Sequence, residues 1–222
     1  MIKPLVRPLV RPLVTGLFGA CRQVLTLNGT SQLITAPRIT GIDMDNLDVE
    51  LEGYFDLTGT GTLWSQSISS NAANREFQVF TNSSDGITVI LGGSSTKITL
   101  GASVKQDTAL WAVRLNGTAV TIFKDGSQVG SGTASIGASR EPTATFKIGA
   151  RGDGTDTTYG FFLGGQLKNQ KVWTGGSRTT GTLDLDMLVN DGFVNDPVIV
   201  NSVGANGTVV NATSGSWSEV CS

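Results

Sequence analysis

The stretch from residue 110 to 130 leaves this chain the least freedom. Trp111, Val113 and Leu115 alternate with smaller or charged residues, the two-residue period of a half-buried strand. Asn116-Gly117 follows, and Asp125-Gly126 comes after the next apolar run; both dipeptides supply the positive φ angles of a tight primed turn. Between them Val120 and Ile122 keep the alternation going, with β-branched Thr118 and Thr121 beside them. Strand, turn, strand, turn, strand is the expectation, a β-meander running through Val129 and Gly130.

The run from Trp111 through Val120-Thr121-Ile122-Phe123-Lys124-Asp125-Gly126 to Val129-Gly130 resembles the core signature of laminin-G-like domains, which belong to the concanavalin A-like jelly rolls. A strand ending Ile-Gly follows as Phe146-Lys147-Ile148-Gly149-Ala150. An aromatic-Gly-Gly-x-Leu element with an apolar-Trp pair follows as Phe162 to Leu167 and Val172-Trp173. Leu25-Thr26-Leu27-Asn28-Gly29-Thr30 is similar to the family's opening strand. The resemblance spans roughly residues 24 to 175 and implies an all-β, two-sheet antiparallel jelly-roll sandwich. It says little about function, because one fold hosts many sites.

Other segments agree. Leu63-Trp64, Phe77 to Phe80, Ile87 to Leu91 and Lys97 to Leu100 read as core strands, with Asn82 to Gly86 as a turn. Residues 24 to 35 read as the first strand, with Asn28-Gly29 as a turn, and 182 to 189 could hold at most a turn of helix. The tail from residue 182 on, with Leu183, Leu185, Met187 and Leu188, then Val198 to Val200 and Thr208 to Val210, is expected to return to the sandwich and to place Trp217 and Val220 beside the first strand. Asn28, Asn82, Asn116, Asn206 and Asn211 head Asn-x-Ser/Thr triplets, and the Asn-Gly-Thr cases read as turns. Twenty-nine glycines among 222 residues suit many short strands and turns, and residues 21–222 are expected to form one domain.

Residues 1–20 are different in kind. Lys3-Pro4-Leu5-Val6, Arg7-Pro8-Leu9-Val10 and Arg11-Pro12-Leu13-Val14 form a repeat of four residues. Proline at every fourth position removes backbone donors and blocks a helix, so an extended arm near polyproline II is expected. The prolines and arginines also interrupt the apolar core that a signal peptide needs. No stretch is long enough to span a bilayer, so no membrane partner is expected. The net charge is −2; subtracting the +3 of Lys3, Arg7 and Arg11 leaves −5 for the remainder. That balance shows no basic footprint for nucleic acid, and it sets a basic arm against an acidic body. The Leu-Val pairs of the arm favour docking on a neighbouring subunit over lying free, which implies a homo-oligomer. Such basic, proline-containing repeats resemble the N-terminal arms of small bacteriophage structural proteins. That resemblance implies a virion component assembled in the host cytoplasm, with the arm attached to other virion proteins.

The chemistry-bearing residues are few. No histidine is present, which removes Ser-His-Asp and Cys-His catalysis and the commonest zinc ligand. Cys21 and Cys221 sit near the two ends of the expected sandwich; a bridge between first and last strands and two separate thiols both stay open. Asp48, Glu50 and Glu52 alternate with Leu47, Val49 and Leu51 and so share one strand face. Paired carboxylates can hydrolyse glycosides, but a solvated outer face explains this pattern more simply. Residues 151–160 form a polar, Gly-rich loop with Asp153, Asp156 and Tyr159. An aromatic ring with acidic acceptors suits a carbohydrate-contacting rim. The two aspartates also offer oxygens to calcium, as the rim loops of some laminin-G-like domains do. Arg151-Gly152-Asp153 matches an integrin-ligand triplet that is common by chance.

Three functions follow from these observations. The first is an arm-anchored fibre or tail adhesin whose sandwich touches host-surface glycan. The second is a capsid or collar decoration protein without host binding. The third, and least supported, is a glycosidase using Glu50 and Glu52; no enzyme is expected.

Overall fold

A computed structural model describes residues 22–56, 59–82, 86–100, 108–187, 198–199, 201–204, 206–213 and 216–220. The arm, Cys21, Cys221 and the middle of the 82–86 turn lie outside the described residues. The chain opens with β1 (Arg22–Asn28), β2 (Leu33–Ala36), β3 (Asp48–Asp56), β4 (Gly61–Gln66) and β5 (Phe77–Thr81). It goes on through β6 (Gly86–Leu91), β7 (Ser94–Thr99), β8 (Thr108–Asn116), β9 (Ala119–Lys124) and β10 (Ser127–Thr133). Next come β11 (Phe146–Ile148), β12 (Arg151–Gly152), β13 (Tyr159–Gly160), β14 (Gly164–Thr174) and β15 (Thr182–Met187). The last are β16 (Val198–Ile199), β17 (Asn201–Val203), β18 (Gly207–Val210) and β19 (Trp217–Val220).

All but β12 and β13, which pair only with each other, form two stacked antiparallel sheets. One runs β10-β9-β8-β3-β14-β1-β19, with β15 on the far half of β14 and β17 beside it. The other runs β16-β18-β2-β11-β4-β5-β6-β7. The meander is β8, β9 and β10; Asp125 and Gly126 take the expected positive φ, but at the first turn only Gly117 does, because Asn116 stays in β8 opposite Ala119 and Gly117–Thr118 makes the turn. Trp111, Val113, Leu115, Val120 and Ile122 all face the core. The tail returns as expected: β19 pairs antiparallel with β1, Trp217 opposite Leu25 and Val220 opposite Arg22.

Three expectations are corrected. Residues 24 to 35 are two strands in different sheets, because Asn28 does more than turn the chain. Its side-chain oxygen accepts hydrogen bonds from the amides of Thr30, Ser31 and Gln32, which closes a wide turn and carries the chain across the sandwich. Residues 182–187 are a strand, because Leu185 and Met187 alternate into the core opposite Val172 and Gln170. Asn206-Gly207 is not a tight turn but the entry to β18.

The core is a single apolar layer between the sheets. Trp64, Trp111, Phe55, Phe77 and Phe146 are its largest fully buried rings. Phe55 meets Trp64 edge-on at 4.8 Å, and the Trp64 indole N–H donates to Gln170 Oε1 at 3.0 Å. A β-carbon on Gly53 would lie 2.2 Å from that same Oε1, so Gly53 makes room for the buried amide. No helix among the described residues is long and apolar enough to cross a membrane.

Candidate functional site

The excursion between β11 and β14 carries the loop that the sequence singles out. Gly149, at φ +85°, turns the chain out of the second sheet. Arg151 and Gly152 then pair with Gly160 and Tyr159 in a two-residue hairpin. The Gly152 amide donates to Ser67 O, and a β-carbon there would lie 2.4 Å from that oxygen. The hairpin is therefore seated directly on the end of β4. Its tip is tied by hydroxyls: Thr155 and Thr158 bond each other at 2.9 Å, and Thr158 Oγ1 donates to Asp153 O at 2.7 Å.

Lys147 anchors this loop from below. Its side chain is completely buried, and Nζ donates to Asp156 Oδ1 at 2.6 Å, Thr145 O at 3.1 Å and Ser67 O at 3.2 Å. Burial lowers the Lys147 pKa, and the Asp156 carboxylate acts against that shift. Asp156 also accepts from the amide and hydroxyl of Thr145. Tyr159 is half-buried, and its phenol pKa is raised by desolvation first and by the Asp156 charge second.

The exposed ring of the loop is one that sequence reasoning missed. Phe161 is 38% exposed, among the most exposed large apolar side chains described, and it sits at φ +55°. A bulky residue in the left-handed region is uncommon and points to a constraint beyond local preference. The Phe80 ring meets Phe161 edge-on at 5.4 Å. The Arg151 guanidinium lies 5.8 Å from the Phe161 ring centre and 3.7 Å from Asp153. Asp153 is exposed, so ring, guanidinium and carboxylate border one solvent-facing patch. The only sequence signal was the Phe161-Phe162 doublet, of which the second member had been assigned to the Gly-Gly element. Which ring faces water depends on the turn at Phe161, and no periodicity encodes that turn.

Buried charge supports the patch. Arg75 donates to Gln78 Oε1, to Ser69 O and to Ser70 O, and burial lowers its pKa to about 10, so it stays cationic at neutral pH. Glu76 and Glu141 each accept the other's backbone amide, and Arg38 closes Glu76 with both terminal nitrogens. These bonds lock the 67–76 and 136–145 loops beside the hairpin.

The predicted residues are thus divided. Asp153 faces solvent, Asp156 faces Lys147, and Tyr159 is half-buried in β13 opposite Gly152. The pair does not fit a calcium cage, which takes about six to eight oxygens. One carboxylate is committed to an ammonium, and among the described residues no group of three or more His, Cys, Asp or Glu gathers to hold a metal. The Arg-Gly-Asp triplet is folded into the hairpin with Gly152 buried. On the other sheet Asp48, Glu50 and Glu52 do share a face, but it is not the solvated one expected. Arg178, on the loop after β14, contacts Glu50 at 3.2 Å and Glu52 at 3.0 Å, and Glu50 is only 3% exposed. Their carboxylates hold that loop down.

No protein-family model matches the chain, and no curated protein is similar to it. Solved structures do match. A Bacteroides ovatus protein for which carbohydrate binding has been proposed aligns with a TM-score of 0.57 at 14% identity. The alignment covers 92% of this chain and 60% of that one, so this chain matches well under two thirds of the other's length. A heptameric SAP-like pentraxin from Limulus polyphemus aligns with a TM-score of 0.47 at 13% identity, over 86% of this chain and 94% of that one. The fold is a two-sheet jelly-roll sandwich. At these identities the likeness is one of fold.

Proposed function

We propose that this chain is a carbohydrate-binding β-sandwich whose contact patch is the 151–161 hairpin. The observation that carries the proposal is Phe161, an exposed ring held at positive φ between Arg151 and Phe80, with the Asp153 carboxylate beside it. A sugar offers an apolar face of C–H groups and a rim of hydroxyls. An aromatic ring takes the first; a carboxylate and a guanidinium bond the second. Asp156 serves this patch from behind by anchoring the loop on Lys147, and Tyr159 belongs to the same hairpin, half-buried and paired with Gly152. The B. ovatus neighbour lends the reading its fold-level analogy.

The test is a glycan array followed by titration calorimetry on any hit, with Phe161→Ala and Asp153→Ala beside the parent. Loss of binding in both variants with unchanged circular dichroism supports the patch. Binding that survives both refutes it. Chelator should leave binding unchanged, since the aspartates do not form a calcium cage.

A wider role rests on the basic proline repeat of residues 3–14: the arm attaches the sandwich to a bacteriophage particle, where it acts as a fibre or tail adhesin. Gold-labelled antibody on intact particles tests that role. Label on the tail supports host adhesion, label on the capsid supports decoration, and no label on any particle removes the virion reading while leaving glycan binding intact.

A further inference from the structure

A cleft opens at the seam of the sandwich. Ala36, Pro37, Ile39 and Leu185 give it an apolar lining, and Arg38, Thr40, Asp184 and Gly204 complete it. Its volume is about 230 Å³. Ordinary ligand pockets begin at about 300 Å³, so this one suits one or two side chains, not an oligosaccharide.

Its electrostatics are one-sided. Arg38 lines the cleft but is neutralised by its two-pronged pair with Glu76, at 2.9 and 2.6 Å. Asp184 is half-buried, and its Oδ2 accepts the Thr174 hydroxyl at 2.6 Å. Among the described residues it carries no ion pair. The cleft therefore asks for one cation next to a short apolar side chain.

The chain itself carries that combination three times, as Lys3-Pro4-Leu5-Val6, Arg7-Pro8-Leu9-Val10 and Arg11-Pro12-Leu13-Val14. We infer that the 36–40/184–185 cleft is the docking site for this N-terminal repeat from a second copy of the chain. The cation of one repeat meets Asp184, and its Leu sits on Ala36, Pro37, Ile39 and Leu185. This inference rests on the reading of the arm as an attachment element and names its receptor. Charge agrees at the scale of the whole molecule too, +3 on the arm against −5 on the body. An extended chain rises about 3.1 Å per residue, so the residues ahead of β1 can reach about 60 Å, far enough to cross a neighbouring sandwich. Successive repeats fall about 12 Å apart on that rise, so one cleft holds one repeat at a time and a slip by four residues restores the same contacts.

The experiment uses the full chain in analytical ultracentrifugation at several concentrations. The parent should associate, and Asp184→Lys should weaken association by about tenfold or more, equivalent to about 1.4 kcal/mol. The triple change Lys3→Glu, Arg7→Glu, Arg11→Glu should do the same, and combining it with Asp184→Lys should restore association. Thr40→Trp, at an exposed lining position, blocks the cleft without touching Asp184 and guards against a folding defect in the lysine variant. A photo-cross-linking residue at Leu9 should join to the 184–185 peptide in the dimer band. Cleft variants that associate normally while the arm variant does not would overturn the cleft and spare the arm reading. Normal association in both sets would overturn both, and a cross-link found only in the monomer band would overturn docking between copies.

Discussion

Breaking the Lys147–Asp156 pair is the sharpest probe of how the loop is held. Asp156→Asn keeps the shape of the side chain but leaves the Lys147 ammonium, with no exposed surface, without its counter-charge. Removing one partner of a fully buried pair costs about 3–5 kcal/mol. Asp156 is 31% exposed and Lys147 keeps the Ser67 and Thr145 carbonyls, so about 2 kcal/mol is expected here. For a domain of this size that lowers the melting temperature by about 4–8 °C. Lys147→Met removes the buried charge and leaves two carbonyls short of a donor, a loss of about 1 kcal/mol. The double variant should be no worse than Lys147→Met alone, giving a coupling of about 2 kcal/mol in a double-mutant cycle. Because burial holds the folded Lys147 pKa below 10.5, the unfolded chain binds more protons between those two values. Parent stability should therefore rise with pH across that interval, and Lys147→Met should lack the rise. Urea denaturation of the four proteins, followed by fluorescence at several pH values, measures both effects. A coupling below about 0.5 kcal/mol would refute the idea that this pair anchors the loop.

Phe161→Gly should relieve about 1 kcal/mol of left-handed strain while losing the Phe80 contact, worth about as much, so its melting point stays near the parent's. Glycan retention should nevertheless fall; retention equal to the parent's would exclude the ring as a platform. Gly53→Ala should displace the Gln170 amide from the Trp64 indole and cost about 2–4 kcal/mol, read by denaturant titration. A cost under about 1 kcal/mol would mean the amide has another resting place. Arg178→Ala should strip the nearly buried Glu50 of its cation and cost about 2 kcal/mol, read by denaturant titration; a loss under about 0.5 kcal/mol would show that Arg178 does not hold the pair.

Much of the fold was legible because it is written in period two. Trp111, Val113 and Leu115 had to share a face, Asn116-Gly117 and Asp125-Gly126 had to reverse the chain, and the meander followed from local sterics. The 182–187 strand was only partly legible: Leu183, Leu185 and Met187 marked a return to the sandwich without separating a strand from a turn of helix. Its apolar residues face inward only because β14 supplies a partner across a register shift, which is a long-range fact. The site was half legible. Residue type and glycine content marked 151–160 as a rim loop, but three aspartate and tyrosine side chains of similar promise met different fates. Asp156 lies over a buried lysine that β11 delivers from below, Tyr159 is half-buried within β13, and Asp153 alone looks outward. Glu50 and Glu52 show the same division: their shared face followed from strand alternation, but the arginine that covers them is 126 residues or more away along the chain.

By itself, then, the sequence determined what depends on neighbours along the chain: strands, turns, the all-β class and the separate character of the basic proline arm. Tertiary structure alone decided which polar groups are buried, which ring meets solvent and where the sheets leave a seam. Those outcomes depend on desolvation and pairing between residues far apart in the chain, and no local pattern records them.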